Sequence, residues 1–171
     1  AAIEDFRDEY KDIIVKPIYG HGGAGVFRLK QDDSNLDSLL ELFFSNSRES
    51  VMVQAFLPAV SEGDKRIMLV DGKAVGALNR RPKSGQVRSN LVVGGTAEKS
   101  DLSEADKRIC DAIGPELRQR GLVLTGIDVI GGRLTEINVT SPTGVQAIKK
   151  LSGIDIPAIF WDSVQERLAG R

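Results

Sequence analysis

Apolar residues recur along the chain at two spacings, one typical of strands and one typical of helices. Alternating or short continuous apolar runs, bounded by proline, glycine and polar residues, indicate strands. Asp71-Gly72 separates two such runs, and this dipeptide is a strong signal for a two-residue β-hairpin turn. The pattern predicts strands over residues 13–17, 26–29, 51–56, about 66–70, 74–79, 123–130 and 134–140.

Helical spacing dominates the segments between these strands. Four apolar residues between positions 36 and 43 predict a short amphipathic helix. Ser103 and Asp106 stand at capping-box spacing and predict a helix to about Gln119, in which Pro115 is expected to bend the helix or restart it. Helical patterns continue from the last strand to the end of the chain. Strands in hairpins with helices between them predict an α+β fold, in two lobes that meet near residues 54–58.

Composition and charge narrow the class of protein. The chain has 171 residues, of which 41% are apolar and 27% charged, which is typical of a globular domain. Its formal net charge of −1 supplies no overall field toward nucleic acid or an anionic membrane. One cysteine, Cys110, excludes an internal disulfide, fits a reducing cytosol and is interpreted as a core residue. No apolar run has the length of a membrane span, and the start lacks the apolar core of a signal peptide. The abrupt start without methionine indicates a fragment, or a processed terminus.

The segment GIDVIGGRLTEINV, residues 126–139, carries the sharpest candidate chemistry. Side chains alternate along a strand, so Asp128 faces away from Ile127 and Val129, and Glu136 and Asn138 face away from Ile137 and Val139. If the two apolar pairs share one buried face, the three polar side chains share the other. That pairing excludes a plain two-residue turn at Gly131-Gly132 and requires a three-residue loop or a bulge.

Three oxygen-bearing side chains on one strand face suit a hard cation such as Mg²⁺. Magnesium takes few protein carboxylates and relies on phosphates and water for its remaining ligands. An ordinary strand with a solvated polar face shows the same alternation, so the hairpin by itself favours neither interpretation.

The stretch GHGGAG at residues 20–25 follows a strand, as a phosphate-binding loop does. It is neither a Walker A motif nor a dinucleotide fingerprint, and a flexible hairpin loop is the alternative. Lys16, just before it, is a candidate phosphate partner, whereas a surface lysine is the default. His21 is interpreted as exposed and incidental. The segment RRPKSGQVRSN, residues 80–90, predicts a long functional or disordered loop whose arginines could bind carboxylates.

In their order and spacing, these elements resemble prokaryotic glutathione synthetase, an ATP-grasp ligase. The stretches that carry the resemblance are KPIYGHGGAG, VMVQAFLP, EGDKRIMLVDGK, RSNLVVGG and GIDVIGGRLTEINVTSPTG. The resemblance covers nearly all of the chain from about Ile13, and it favours the magnesium interpretation of the hairpin.

The resemblance implies an ATP-grasp fold of two α+β lobes with mainly antiparallel sheets. Residues 1–57 would form the small lobe with its glycine-rich lid, residues 58–171 the large lobe with the metal site, and ATP would lie between them. The family's N-terminal substrate domain, and an upstream lobe segment with a second ATP-contacting lysine, would be absent. The chain alone is therefore expected to lack full synthetase activity.

The resemblance also implies residue roles. ATP would be contacted by Lys16, Gly22, Gly23, the hinge residues Gln54, Ala55, Phe56 and Leu57, and Asp64 near the ribose. Ala55 departs from the larger polar residue expected in the hinge. γ-Glutamylcysteine and the transferred phosphoryl group would be contacted by Arg66, Arg80, Arg88, Asn90, Ser141 and Thr143, with Arg66 and Arg88 as catalytic residues. Mg²⁺, or alternatively Mn²⁺, would be held by Asp128, Glu136 and Asn138.

The reaction implied is ATP-dependent ligation of glycine to γ-L-glutamyl-L-cysteine through an acyl phosphate, in a cytoplasmic enzyme. The partners would be small molecules rather than nucleic acid or membrane, and the full-length enzyme would be a homo-oligomer. Alternatives are an ATP-grasp carboxylate–amine ligase for another acid or amine, and a non-catalytic nucleotide-binding module.

Overall fold

In the part of the chain that the structure describes, two antiparallel sheets carry the fold. The computed structural model describes residues 2–19, 22–46, 48–83 and 95–170. The chain divides into two units, Ala1–Pro58 and Ala59–Arg171. None of the helices in the described ranges is both long and apolar enough to cross a membrane.

The described part of the first unit is a three-stranded sheet with two helices. Its elements are α1 (Ala2–Tyr10), β1 (Ile13–Pro17), β2 (Phe27–Leu29), α2 (Leu36–Asn46) and β3 (Val51–Ala55). Strand β1 lies between β2 and β3, so Ile13 and Val15 are fully buried. These two side chains pack with Leu36 and Leu39 of α2, and Phe6 of α1 covers the same cluster.

Over its described residues, the second unit is a five-stranded sheet with helices on both faces. A 3-10 turn, Pro58–Ser61, precedes it. Its elements are β4 (Asp64–Val70), β5 (Lys73–Arg81), β6 (Thr96–Lys99), α3 (Glu104–Gln119), β7 (Leu124–Ile130), β8 (Arg133–Asn138), α4 (Val145–Ser152) and α5 (Ile156–Ala169). The strand order β6-β5-β4-β7-β8 places β4 in the centre and β8 at an edge.

The two faces of this sheet have different partners, and β4 shows why. Its side chains alternate between the faces. Ile67 and Leu69 belong to the cluster covered by α3, whereas Met68 belongs to the cluster covered by α4 and α5. Asp64 and Arg66 share the face of Met68, so that face is apolar toward one end of β4 and polar toward the other. The polar end is where the candidate site lies.

Helix α3 begins at the predicted capping box. The Ser103 hydroxyl accepts a hydrogen bond from the Asp106 amide at 3.2 Å, and the Asp106 carboxylate accepts one from the Ser103 amide at 2.8 Å. The Lys65 ammonium lies 2.5 Å from the same carboxylate. Burial opposes ionisation of Asp106, but the hydrogen bonds from Lys65 and Ser103 outweigh it and lower its pKa. The capping box therefore also ties α3 to the central strand.

Two glycines allow α3 to touch the β4–β5 hairpin. Gly72 occupies the turn with a φ of +76°, a conformation that favours glycine. A Cβ atom built on Gly114 of α3 would lie 2.3 Å from the Gly72 carbonyl oxygen, and a Cβ on Gly72 would meet the Gly114 carbonyl at the same distance. Backbone therefore packs directly on backbone here, with no space for a side chain on either residue.

The predicted α+β class, the 71–72 hairpin and the capped helix to Gln119 are confirmed. Three features differ from expectation. Helix α1 went unpredicted, although Ile3, Phe6 and Tyr10 supply a helical stripe, and β6 is a short, mostly polar edge strand without a sequence signal. Helix α3 continues through Pro115, so the restart is wrong, while the alternative of a bend stays a prediction. Gly114 precedes the proline and has no Cβ, which removes part of the clash that ends helices at such positions.

We expect Gly114→Ala to destabilise the protein even though alanine is the better helix former by about 1 kcal/mol. The added Cβ would collide with the backbone at Gly72, and overpacking of this kind costs about 1–3 kcal/mol. Urea unfolding measures the difference. Asp111→Ala, at an exposed position of the same helix, is the matched control and should leave the midpoint unchanged or slightly raised. A Gly114→Ala protein as stable as the control would contradict the close packing.

Burial, with the nearby Asp106 and Asp111 charges, raises the pKa of the Cys110 thiol to about 11. We therefore expect no reaction with a thiol reagent at pH 8 in the folded protein and rapid reaction once it is unfolded. Because the unfolded thiol titrates near about pH 8.5, the folded state loses stability as the pH rises from there toward 11. Unfolding free energies across this range should show that loss in the wild type, and Cys110→Ala should lack this component.

Candidate functional site

An ion pair between Arg66 and Asp128 lies at the centre of the candidate site. The two residues are directly opposite each other on β4 and β7, and each is about 95% buried or more. Arg66 Nε donates to Asp128 Oδ1 at 2.5 Å, and Arg66 Nη2 donates to Oδ2 at 3.0 Å. Its third nitrogen, Nη1, donates to the Thr143 carbonyl oxygen at 2.9 Å. Arg66 thereby links the middle of the sheet to the loop before α4.

Arg80 supplies a second cation to the same carboxylate. Its Nη2 lies 2.9 Å from Asp128 Oδ1 and 2.6 Å from Asp64 Oδ2. Asp64 and Arg80 are paired on β4 and β5, so three adjacent strands contribute to one cluster. We refer to Asp64, Arg66, Arg80 and Asp128 as the four-charge cluster.

Electrostatics in this cluster favour the charged forms of Asp128 and Arg80. Burial opposes the charge on Asp128, but hydrogen bonding from Arg66 and the charges of Arg80 and Arg66 outweigh it and lower its pKa. Burial likewise opposes the charge on Arg80, while Asp128 and Asp64 raise its pKa. Two acidic and two basic side chains thus lie together where little water reaches them, and buried charges are tolerated when they are paired in this way.

Small residues make room for the Arg66 side chain. A Cβ on Gly126 would lie 2.7 Å from Pro142 Cβ and 3.2 Å from Arg66 Cδ. Gly126 and Asp128 share a strand face, so Arg66 crosses the open position at Gly126 to reach the carboxylate. Gly144 also lies against this side chain, with 3.5 Å from a built Cβ to Arg66 Cγ.

The β7–β8 hairpin contains a bulge, one of the two arrangements that the sequence allowed beside a three-residue loop. Ile130 pairs with Arg133, so Gly131 and Gly132 form a two-residue turn, with φ values of +56° and +73°. The register then shifts: Val129 pairs with Leu134, but Asp128 pairs with Glu136. Thr135 is the extra residue. The shift brings Glu136 directly opposite Asp128, and Asn138 opposite Gly126 on the same face.

One part of the hairpin prediction is wrong. Ile137 and Val139 were expected on a buried face with Ile127 and Val129, but they are 44% and 43% exposed. β8 is the edge strand, so its apolar side chains have a neighbouring strand on one side only. Ile127 and Val129 on β7 are covered by strands on both sides and are buried.

The three predicted metal ligands form a set of oxygen donors. Glu136 is exposed, Asn138 is half-buried, and Asp128 is buried. Among the described residues Asn138 Nδ2 is buried without a hydrogen-bond partner, and turning the amide over would place Oδ1 there instead. No group of three or more His, Cys, Asp or Glu residues in those ranges could hold a metal ion. The set therefore rests on two carboxylates and an amide, which suits a hard cation with few protein ligands.

Asp128 retains capacity for such a cation. A carboxylate has about four lone-pair directions, and within the described ranges Oδ1 and Oδ2 together accept three contacts from Arg66 and Arg80. The remaining direction belongs to Oδ2. The residues present therefore fit a divalent cation.

The predicted nucleotide residues of the first unit lie on β1, β3 and the glycine loop. Lys16 is on β1, paired with Met52, and Gln54 and Ala55 end β3. Gly22 and Gly23 have φ values of +70° and +71°. The Phe56 amide donates to the Asp12 carbonyl oxygen at 2.9 Å, and Leu57 follows it half-buried.

An arginine that the sequence did not indicate joins this segment. The Arg28 guanidinium lies 3.7 Å from the centroid of the Phe56 ring and forms an ion pair with Asp12. Because the contact joins residues far apart in sequence, no local pattern could have identified it. The cation fixes the ring of the predicted hinge from one side.

Other predicted residues are scattered or undescribed. Asp64 was expected near the ribose, and here its carboxylate binds Arg80. Ser141 and Thr143 are exposed on the loop before α4, and only the Thr143 carbonyl oxygen reaches the four-charge cluster. His21, Arg88 and Asn90 lie outside the described residues.

We expect Arg66→Met to destabilise the protein by about 3–5 kcal/mol, because the buried Asp128 would lose its bidentate partner. Arg81→Met is the matched control. Arg81 pairs with Glu98 on the neighbouring strand, but both side chains are substantially exposed, and a solvent-screened pair of this kind contributes little to stability. Urea unfolding compares the two variants. Equal losses of unfolding free energy in the two variants would show that the buried Arg66–Asp128 pair contributes no more to stability than the exposed Arg81–Glu98 pair.

Comparison with known proteins finds similar proteins both by sequence and by fold. The family model for the prokaryotic glutathione synthetase ATP-grasp domain matches residues 1–153. Glutathione synthetase of Mesorhizobium japonicum is 56% identical over 160 residues, which are 94% of this chain and 51% of that protein. The Brucella melitensis glutathione synthetase is 54% identical over 165 residues, 96% of this chain and 53% of that protein. The chain spans about half the length of these relatives.

Among solved structures, D-cycloserine synthetase DcsG has a similar fold, with a TM-score of 0.75 at 19% identity, covering 98% of this chain and 60% of that one. At that identity the likeness concerns the fold alone. The family match over most of the chain, together with relatives more than half identical to it, is stronger evidence. This chain belongs to the prokaryotic glutathione synthetase family and carries its ATP-grasp domain.

Proposed function

We propose that this chain is the nucleotide- and metal-binding part of an enzyme that ligates glycine to γ-L-glutamyl-L-cysteine, forming glutathione, ADP and phosphate. The observation that carries the proposal is the opposition of Asp128 and Glu136 on one strand face, beside the guanidinium groups of Arg66 and Arg80. Carboxylate oxygens that could bind a cation therefore lie next to guanidinium groups that could bind phosphate oxygens. Both relatives are named glutathione synthetase, which supports glutathione as the product, and the substrates proposed are those that the resemblance implies.

The proposed chemistry has two steps. An oxygen of the cysteinyl carboxylate of γ-glutamylcysteine attacks the γ-phosphorus of ATP, the bond to the bridging β,γ-oxygen breaks, and ADP leaves. The glycine amine then attacks the carbonyl carbon of the acyl phosphate, the bond from that carbon to the phosphate oxygen breaks, and phosphate leaves with formation of the amide. The amine nitrogen loses protons to solvent or phosphate until a single N–H remains in the amide. Phosphorylation is required because a free carboxylate is a poor acylating agent.

The residues of the second unit are assigned by their chemistry. Arg66 and Arg80 present planar, permanently charged forks, which suit phosphoryl and carboxylate oxygens. Asp128, Glu136 and Asn138 would hold Mg²⁺ or Mn²⁺. A bound divalent cation neutralises charge on the phosphate oxygens. Arg88, Asn90, Ser141 and Thr143 keep the substrate roles proposed from the resemblance, with Arg88 also catalytic.

The residues of the first unit are assigned to ATP. ATP-grasp ligases generally use ATP with a divalent metal ion. Lys16 and the glycine loop at Gly22 and Gly23 would contact phosphates, since backbone N–H groups of such loops and a lysine ammonium both favour anions. Gln54–Leu57 would line the adenine, and Asp64 would approach the ribose. We further propose small and large ATP-grasp lobes at residues 1–57 and 58–171, in a cytoplasmic homo-oligomer.

We expect the full-length protein to release ADP from ATP only when γ-glutamylcysteine and glycine are both present, with glutathione identified by mass spectrometry. Replacing glycine by D-alanine, or the dipeptide by another carboxylic acid, tests the alternative of a ligase for different substrates. A higher kcat/KM with another acid–amine pair would assign the chain to that reaction. ATP binding without turnover of any pair would favour a non-catalytic module.

We expect Glu136→Gln to lower kcat by at least about 100-fold, since even residues that only support metal ligands cost about 10–100-fold when changed. Circular dichroism should show an intact fold, because Glu136 is exposed. Glu116→Gln, an exposed acid on α3 paired with Arg120, is the matched control and should retain wild-type turnover. Unchanged activity in Glu136→Gln would refute the metal assignment.

A further inference from the structure

The bulge at Thr135 decides which side chains of β8 face Asp128. Next to the turn, β7 and β8 pair in one register, through Ile130 with Arg133 and Val129 with Leu134. Had that register continued, Asp128 would oppose Thr135, and Glu136 would oppose Ile127. Ile127 is fully buried in the cluster covered by α3. Glu136 would then lie on the apolar face, away from the four-charge cluster.

One inserted residue reverses this arrangement. Because side chains alternate, a shift of one residue moves every later side chain of β8 to the other face. Beyond Thr135 the shift places Glu136 opposite Asp128 and Asn138 opposite Gly126. All three proposed metal ligands therefore share a face only while the extra residue precedes Glu136. A bulge that moved one position toward the end of β8 would pair Asp128 with Thr135 and make Glu136 the extra residue, so that Glu136 would no longer oppose Asp128.

A side-chain hydrogen bond holds the bulge at this position. The Thr135 hydroxyl donates to the Asp128 carbonyl oxygen at 3.1 Å. A bulge interrupts the ladder and leaves backbone groups without their usual partners. The half-buried hydroxyl supplies a donor to the backbone of the residue that Glu136 must oppose. Leu134 and Glu136, the neighbours of Thr135, carry no hydroxyl, so neither side chain could make this bond from the bulged position.

We propose that Thr135 is a positioning residue for the metal site, acting through the register of β8 rather than by touching the cation. This inference rests on the proposed function of Asp128, Glu136 and Asn138 as metal ligands. Its consequence is that the hydroxyl of Thr135, and not its size, governs affinity for the cation.

The test measures Mn²⁺ affinity of the full-length protein in the presence of ADP, by electron paramagnetic resonance of the free ion. We expect Thr135→Val to raise the Kd for Mn²⁺ about 10-fold or more, as changes to groups that orient ligands do. Thr135→Ser keeps the hydroxyl, and its Kd for Mn²⁺ should lie within about threefold of the wild-type value. Backbone hydrogen exchange at residues 133–138 should accelerate in the valine variant alone.

A matched control lies in the same hairpin. The Thr125 hydroxyl on β7 also donates to a carbonyl oxygen, that of Leu122 at 3.4 Å, and Thr125 is fully buried. Thr125→Val makes the same chemical change away from the bulge, so it should leave the Kd for Mn²⁺ unchanged even if it alters thermal stability. If Thr135→Val does not fold, the comparison of Thr135→Ser with Thr135→Ala replaces it, with the same expectation for the hydroxyl.

The outcomes separate this inference from the proposed function. Glu136→Gln tests the metal site itself, and wild-type affinity in that variant would overturn both the site and the role of Thr135. Weakened binding in Glu136→Gln together with a Thr135→Val Kd equal to that of Thr125→Val would overturn the role of Thr135 alone. Loss of affinity in Thr135→Val with recovery in Thr135→Ser supports it.

Discussion

The buried ion pair between Arg66 and Asp128 is the contact on which the second unit's polar end depends. Two charges removed from water are tolerated only when they are paired and hydrogen-bonded. Here Asp128 receives two bonds from Arg66 and a contact from Arg80, and Arg66 also holds the Thr143 carbonyl oxygen. The same pair therefore joins β4, β5, β7 and the loop before α4. Its members are also those proposed to bind cation and phosphate, so the site is held in shape by its own functional groups.

This arrangement has a chemical implication for ligand binding. In the structure the arginines neutralise the carboxylates, and the cluster as a whole carries no net charge. A divalent cation and a polyphosphate would bring opposite charges to opposite members of the cluster, the cation to Asp128 and the phosphates to Arg66 and Arg80. Ligand charges could thus enter in pairs without leaving an uncompensated buried charge, which would otherwise be costly.

Glycines and a one-residue shift of register account for three further features: the space for the Arg66 side chain, the contact of α3 with the β4–β5 hairpin, and the pairing of β8 with β7. Gly126 leaves the space that the Arg66 side chain crosses, and Gly72 and Gly114 let α3 contact the hairpin backbone. Local sequence does not explain why these positions are glycine, because a glycine in a strand or a helix is locally unfavourable. Their reason lies in a neighbour distant in sequence. The bulge at Thr135 belongs to the same group, since its effect is to select which face of β8 meets Asp128.

Periodicity was sufficient for the elements with strong alternation or helical spacing. Strands β1, β3, β4, β5 and β7, the capped helix α3 and the hairpin turns follow from residues within a few positions of one another. The face shared by Asp128, Glu136 and Asn138 also follows from alternation, together with the need for a bulge. Strand β6 could not be predicted in this way, because its residues are mostly polar and it forms through its pairing with β5. Helix α1 does have an apolar spacing typical of a helix, at Ile3, Phe6 and Tyr10.

Patterns along the chain were enough to predict the α+β class, the shared face of Asp128, Glu136 and Asn138, and the resemblance to the family. Packing between distant segments was needed to place the bulge at Thr135, to leave Ile137 and Val139 exposed at a sheet edge, and to bring Arg66 and Arg80 together on Asp128. These two groups of features differ in the range of the interactions that produce them. Alternation and capping act between near neighbours, whereas ion pairing, edge position and backbone contact depend on which strands the fold brings side by side.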